Sequence, residues 1–343
     1  MSDPFVIQLL GFIAGIAVLI IIHELGHFAA ARLFHIEVEE FGIGFPPRIT
    51  KLFEAGGTEF TLNWIPLGGF VRPKGENDPE VEGGLAAANP WVRLAVLFAG
   101  PFTNILLGVL LAIILFYNMG EPIPNRVEIQ DVSPGSPAAE AGLRPGDMIL
   151  QLNNQDINNV DQLHNLIYEN LGQPLTFEYQ RGNQIDTVTL VPRDPPPEDG
   201  AIGILMGYAT RPISIAQAIP KGVNMTAQYT RSVLLLPVNI IKGNVSAEQG
   251  RPVGFKGMFD VYQQISNPIW FFMVITMSLG IFNLFPIPAL DGGRIVLTLP
   301  EIFLNRRVPP HLENVIHLVG FTVLILLLIY INLQDFINPV QLP

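Results

Sequence analysis

His23-Glu24-Leu25-Gly26-His27 closes the first long apolar stretch of this chain, an uncharged run from Phe5 to Ile22. On a helix, residues four apart lie on one face, so both imidazoles reach one metal ion. Glu24 follows the first histidine, where a carboxylate serves as general base toward a water at that metal. Ionisable groups are costly in hydrocarbon, so three of them at the end of an apolar span point to function. The bland alternative is a soluble helix that happens to carry two histidines.

Composition weighs against that alternative. The 343 residues are 49% hydrophobic and 14% charged, and mean hydropathy is +0.38. That is too apolar for an ordinary soluble protein of this length. There is no cysteine, so no disulfide framework and no thiolate metal site. A zinc ion has to be held by histidine and carboxylate. The net charge of −11 argues against nucleic acid as a partner. Residues 121–200 hold 13 acidic and 4 basic side chains, a net of −9. That segment reads as an acidic soluble domain between membrane helices.

Four spans are expected: Phe5 to Ile22, Leu94 to Tyr117, Pro268 to Phe285 within the run Val261–Leu290, and Leu318 to Leu333 starting near Leu312. Each crosses about 30 Å of hydrocarbon or nearly so. The first lacks a basic n-region and runs directly into the metal motif, so it is not read as a cleaved signal peptide. The loop after span one carries Arg32, Arg48, Lys51, Arg72, Lys74 and Arg93, and the loop after span three carries Arg294, Arg306 and Arg307. The positive-inside rule puts these loops in the cytoplasm and both termini outside. Residues 213–241 are moderately apolar but contain Lys221, Arg231 and Pro237. They are expected to form an amphipathic helix lying on the outer surface.

A second motif, Asn283-Leu284-Phe285-Pro286-Ile287-Pro288-Ala289-Leu290-Asp291-Gly292-Gly293, ends the third span. Its prolines break the helix and its glycines allow a tight turn. Asp291 alone reads equally as a helix cap for Arg294–Phe303. Depth favours another role. Phe5 to His23 is 18 residues, about 27 Å of helix. Spans one and three run the same way, so His23, His27 and Asp291 fall near the inner face. Three protein ligands leave a fourth position open, as in catalytic zinc sites.

With these residues the chain resembles the site-2 proteases, intramembrane zinc metalloproteases, most closely the bacterial regulator-of-sigma-E type. The resemblance covers nearly the full length. It includes His23 to His27, Asn283 to Gly292, and Gly100-Pro101-Phe102-Thr103-Asn104. Phe41-Gly42-Ile43-Gly44-Phe45 and Ile65-Pro66-Leu67-Gly68-Gly69-Phe70-Val71 are also similar to the family, where they belong to a membrane-reentrant β-hairpin. The resemblance implies that His23, His27 and Asp291 bind Zn2+, that Glu24 is the catalytic base, and that Asn104 and Asn283 hold substrate backbone. Each asparagine has another reading. Asn104 is also a candidate for interhelical hydrogen bonding, and Asn283 for pairing the carbonyls freed by Pro286 and Pro288. A transmembrane substrate has to unwind before its amides can be attacked, and an exposed strand edge can then pair with it. Glu59 to Trp64 has strand-like composition. Arg251-Pro252-Val253-Gly254 resembles a further family element and receives no chemistry.

Residues 125–193 resemble a PDZ domain, through Gly135-Ser136-Pro137-Ala138-Ala139-Glu140-Ala141-Gly142-Leu143-Arg144-Pro145-Gly146-Asp147. Ser136 or Pro137 should begin a short helix and Gly142 end it. Strands are expected at Met148–Leu152, Leu175–Tyr179 and Thr187–Val191, and an amphipathic helix at Val160–Tyr168. Arg193 to Gly200, with three consecutive prolines, reads as a stiff exit linker.

The expected fold is thus a polytopic α-helical membrane protein of four transmembrane helices, with a reentrant β-hairpin and an inserted α+β PDZ domain. Its parts are 1–122 (spans one and two), 123–200 (PDZ domain and linker), 201–260 (amphipathic surface segment) and 261–343 (spans three and four). The implied function is cleavage of single-pass membrane proteins within their transmembrane segments, such as release of an anti-sigma factor or similar regulator. Membrane lipid is the second partner. The layout, without a transit peptide, favours a bacterial plasma membrane, with the PDZ domain outside and the active site near the cytoplasmic face. Two rivals are a non-catalytic membrane PDZ scaffold, which has no need of Glu24 or Asp291, and a membrane-anchored zinc protease for soluble peptides.

Overall fold

The opening apolar run winds, in a computed structural model, into one 30-residue helix, α1 (Pro4–Leu33). The structure describes residues 4–246, 250–265 and 267–340. The terminal residues 1–3 and 341–343, expected outside the membrane, lie beyond the described residues. An apolar helix without a water-facing stripe belongs in protein or lipid. α1 continues past Ile22, so the metal motif lies inside the helix and not at its end. α2 (Pro90–Met119), α9 (Pro310–Ile337) and α1 are the three helices, among the described residues, long and apolar enough to cross a membrane. The run Pro268–Phe285 forms α7 (Pro268–Asn283), 16 residues long. At about 1.5 Å per residue it spans about 24 Å, short of the hydrocarbon thickness. It is instead well covered by protein, with Phe271, Met273, Met277 and Ile281 buried.

Glycines let these helices approach closely. A Cβ on Gly26 of α1 would lie 2.5 Å from the Ala99 carbonyl oxygen of α2, and one on Gly280 of α7 would lie 2.8 Å from Pro101 O. The hydroxyl of Thr103 donates across the first contact to Ile22 O at 3.1 Å. α2 is therefore held between α1 and α7 at the depth of Gly100–Asn104.

The segment expected on the outer surface forms α5 (Ile215–Ile241), and it does not lie across the helix ends. Its contacts step from Ile113 of α2, against Gly222, to Ser278 of α7, whose hydroxyl lies 2.6 Å from Tyr229 Oη. Met225, Tyr229 and Val233 pack on the buried Ala112, Met273 and Met277. α5 runs alongside α2 and α7 because its apolar stripe finds a protein groove there.

Arg251–Gly254 leads into α6 (Phe255–Gln264), whose N-cap Gly254 has no capping side chain of its own. Asp335 of α9 supplies one. Its buried carboxylate accepts from Gly254 N at 2.7 Å and Gly257 N at 3.1 Å. An anionic acceptor at a helix N-terminus satisfies donors that otherwise lack partners.

Two long strands, β1 (Val38–Ala55) and β2 (Thr58–Pro73), pack against α1. Both fold back on themselves. Residues 58–63 pair with 48–55 on one side, and 59–62 pair with 40–43 on the other, while 69–73 pair with 38–43. Of Glu59–Trp64, the strand read from composition, residues 59–62 are thus interior to the sheet, and 69–73 form one of its edges. Glu40 is buried in this sheet and is satisfied by Arg48 at 2.7 Å, Arg72 at 3.0 Å and the Thr61 hydroxyl at 2.7 Å.

The second unit spans residues 116–218. It contains β3 (Glu121–Val132), α3 (Pro137–Glu140), β4 (Met148–Leu152), β5 (Gln155–Asp156), α4 (Val160–Tyr168), β6 (Leu175–Arg181), β7 (Gln184–Leu190) and β8 (Ile204–Arg211). The sheet order is β7-β6-β4-β3-β8, with β5 on β4. Ser136 caps α3, its hydroxyl accepting from Ala139 N at 3.2 Å, and Gly142 follows at φ +81°. Ile129, Ile149, Leu163, Ile167 and Phe177 fill the core. The domain extends beyond the expected 123–200. β8 pairs with β3 from Glu121↔Arg211 to Val132↔Ile204, and residues 193–200 form a closed loop in which Arg193 N donates to Ala201 O at 2.8 Å. A linker reading missed this because the strand that completes the sheet lies after the prolines.

Candidate active site

α1 supplies His23, Glu24 and His27 on consecutive turns. Gly100 of α2 gives the ring of His27 its room, since a Cβ there would lie 2.3 Å from Nε2. The Nδ1 of His27 lies 2.8 Å from Val96 O. Because that carbonyl can only accept, Nδ1 carries the proton and Nε2 is free to ligate.

Asp291 arrives from the other end of the chain. After Asn283 the backbone turns sharply, with Ile287 N bonded to Phe285 O at 2.7 Å and Ala289 at φ +76°. Any side chain on Gly292 or Gly293 would strike this turn, a Cβ meeting Phe285 O at 2.2 Å or Ile287 O at 2.3 Å. Asp291 then opens α8 (Asp291–Leu304), whose N-cap is Leu290. Its side chain aims at the histidines.

His23 Nε2 and His27 Nε2 lie 3.2 Å apart, and Asp291 Oδ2 is 3.2 Å from the first and 3.4 Å from the second. Oδ2 is buried and accepts no hydrogen bond of good geometry. Three lone-pair donors crowded this way need a positive charge among them. Ligands at about 2.0–2.1 Å from a tetrahedral ion are about 3.3–3.4 Å from each other. The spacing and the donor set both fit zinc.

These groups face a cavity of about 490 Å3 that also meets Glu24, Asn283, Arg294 and the strand edge from Gly68 to Val71. The edge presses on Glu24, a Cβ on Gly69 lying 3.2 Å from Glu24 Cγ. The Val71 N–H faces the Glu24 carboxylate. Asn283 borders the cavity, but its Nδ2 donates to Leu279 O at 3.0 Å. Asn104 does not border it. It is fully buried, with Nδ2 3.2 Å from His23 Nδ1.

The sequence reading overlooked three groups. Val71 acts through its backbone, which no side-chain motif reveals. His317 of α9 accepts from Ala289 N at 3.1 Å and so pins the turn before Asp291. A histidine within an apolar span was the available signal. Arg294, one turn beyond Asp291, is ion-paired with Glu76.

Comparison with known proteins gives the family. Residues 11–327 match the family described as Peptidase family M50. The chain belongs to peptidase family M50. It is therefore a peptidase of the site-2 protease family, and its apolar helices make it a membrane protein. Among this M50 peptidase's relatives, a Clostridium perfringens protein provisionally named as a zinc metalloprotease is 32% identical, covering 94% of this chain and 96% of its own. The zinc metalloprotease RasP of Oceanobacillus iheyensis is 26% identical, covering 94% and 97%. The provisionally named protease eep of Enterococcus faecalis is 27% identical, covering 94% and 97%. A solved PDZ domain of an SdrC-like protein from Listeria monocytogenes aligns with 24% of this chain and 90% of its own, at 19% identity and a TM-score of 0.22.

Proposed function

We propose that this M50 peptidase is an intramembrane endopeptidase that cleaves single-pass membrane proteins within their transmembrane segments. Its cofactor is zinc. The observation that carries the reading is the meeting of His23 Nε2, His27 Nε2 and Asp291 Oδ2 at tetrahedral edge distances, with both histidines inside an apolar helix. In this reading these three residues hold the metal. When bound, zinc supplies Lewis acidity to a water and to the scissile carbonyl.

The remaining work falls to the protein. Glu24 takes a proton from the attacking water and returns one to the leaving amine. The Val71 N–H holds the Glu24 carboxylate against the cavity. The edge 69–73 pairs with the sheet on one side only, so its other side offers backbone groups to an unwound substrate. Asn283 stands where a substrate backbone would pass. The proposed setting is a bacterial plasma membrane, with α7 as a fourth and short span, the β1–β2 hairpin reentrant, the termini and the PDZ-type domain outside, and the metal near the cytoplasmic face. The substrates fit regulated release of a membrane-tethered regulator.

Glu24→Gln tests the assignment. It removes the base and keeps all three proposed ligands. The expected outcome is wild-type zinc content with cleavage of a transmembrane test substrate reduced by about two to four orders of magnitude. Undiminished cleavage would overturn the assignment of Glu24, and lost zinc would make it a ligand.

A further inference from the structure

We propose that Asn104 is a positioning residue that fixes the tautomer and ring orientation of His23, and that it does not touch substrate. The inference rests on the reading of His23 as a metal ligand.

A histidine that ligates through Nε2 carries its proton on Nδ1, and that N–H needs an acceptor. For His27 the acceptor is plain, since Val96 O lies 2.8 Å from Nδ1. His23 is 7% exposed and its Nδ1 faces the amide of Asn104 at 3.2 Å. Asn104 is completely buried and borders neither water nor the cavity. Its Oδ1 is buried without a hydrogen-bond partner. That oxygen is the acceptor that the ligating form of His23 lacks. A half-turn of the amide plane exchanges Nδ2 for Oδ1 and lets Nδ1–H donate, whereas the opposite orientation would set two donors against each other.

The surroundings hold Asn104 in place for this. Thr276 of α7 donates its hydroxyl to the Asn104 backbone oxygen at 3.2 Å. Gly280 of α7 lies so close that a Cβ on it would sit 3.2 Å from Asn104 Cβ. Packing on the α7 side leaves the side chain directed at α1. The partners of both histidines, Val96 and Asn104, come from one face of one helix. α2 thus acts as the frame that orients both imidazoles of α1, and the Gly100-Pro101-Phe102-Thr103-Asn104 element gains a role short of substrate contact.

The test measures zinc affinity of the full-length protein in detergent by competition with a chelator, for wild type, Asn104→Leu, Asn104→Asp and His23→Ala. Asparagine-to-leucine removes the acceptor at similar volume, and aspartate restores one. Loss of such a partner lowers metal affinity by about 10–100-fold. That loss is expected for Asn104→Leu, with Asn104→Asp near wild type. Equal losses in both variants would reduce Asn104 to packing. Wild-type affinity in Asn104→Leu with a raised KM would make it a substrate contact. Either result overturns the proposal. Undiminished affinity in His23→Ala would instead remove the underlying ligand assignment. Nitrogen NMR of histidine-labelled, zinc-loaded wild type needs no folded variant. A protonated, exchange-resistant Nδ1 on His23 is expected, and an unprotonated one also overturns the proposal.

Discussion

At the scale of single residues, two glycines in contact between the same helices should behave oppositely. Alanine is the better helix former by about 1 kcal/mol, so propensity favours both substitutions. At Gly100 the added methyl would lie 2.3 Å from His27 Nε2, the far end of a side chain that can swing away. The helix pair survives the swing, but a ligand position does not. Gly100→Ala should leave thermal unfolding of the metal-free protein near wild type and lower zinc affinity at least about tenfold, on the scale of other disturbances to a ligand's orientation. At Gly26 the methyl would meet Ala99 O at 2.5 Å, and that atom is backbone. The helices have to part, at a cost of about 1–3 kcal/mol for overpacking. Gly26→Ala should therefore unfold earlier, measured by the same thermal melt. If the two variants exchange these effects, the close approach of α1 and α2 is not what seats His27.

At the scale of elements, the edge of the β1–β2 sheet is tied to the chemistry through Val71. Its N–H faces Glu24, and proline is tolerated on edge strands where the N–H faces outward. Val71→Pro should keep zinc content and the melting temperature within a few degrees of wild type. Cleavage should fall by about 10-fold or more, as for other lost positioning bonds. Unchanged cleavage would show that Glu24 needs no backbone partner. Much of this architecture was legible beforehand. Uncharged length marked α1, α2 and α9, and Ser136 with Gly142 marked α3, because these signals are local. The fate of 201–241 was not, since β8 is defined by pairing with β3 some 80 residues earlier and α5 by a groove between α2 and α7. The asparagines show the same limit. Motif spacing brought Asn104 and Asn283 to the site, but only packing shows one buried behind His23 and the other beside the cavity.

At the scale of the whole molecule, the absence of cysteine makes orientation directly measurable. Single cysteines near Asp3, within residues 125–193 and after Asp335 should react with an impermeant thiol reagent added outside intact cells. Those near Arg48 and Arg306 should not, because the proposed orientation keeps the basic loops in the cytoplasm. Labelling near Arg306 from outside would overturn the four-span count. The inserted domain poses the larger question, since it folds around its own core and two uses for it predict opposite signs. If it screens substrates by the bulk of their outer parts, deleting residues 121–211 as one folded body should speed cleavage of substrates with a large outer domain and change short-tailed ones little. If it recruits them by adding their tails as a strand, deletion should slow both. Rates for long- and short-tailed versions of one substrate, normalised to zinc content, decide between them. We expect the ratio of short- to long-tail rates to fall toward one on deletion, through a faster long-tail rate. An equal slowing of both would reject screening and assign the domain to recruitment.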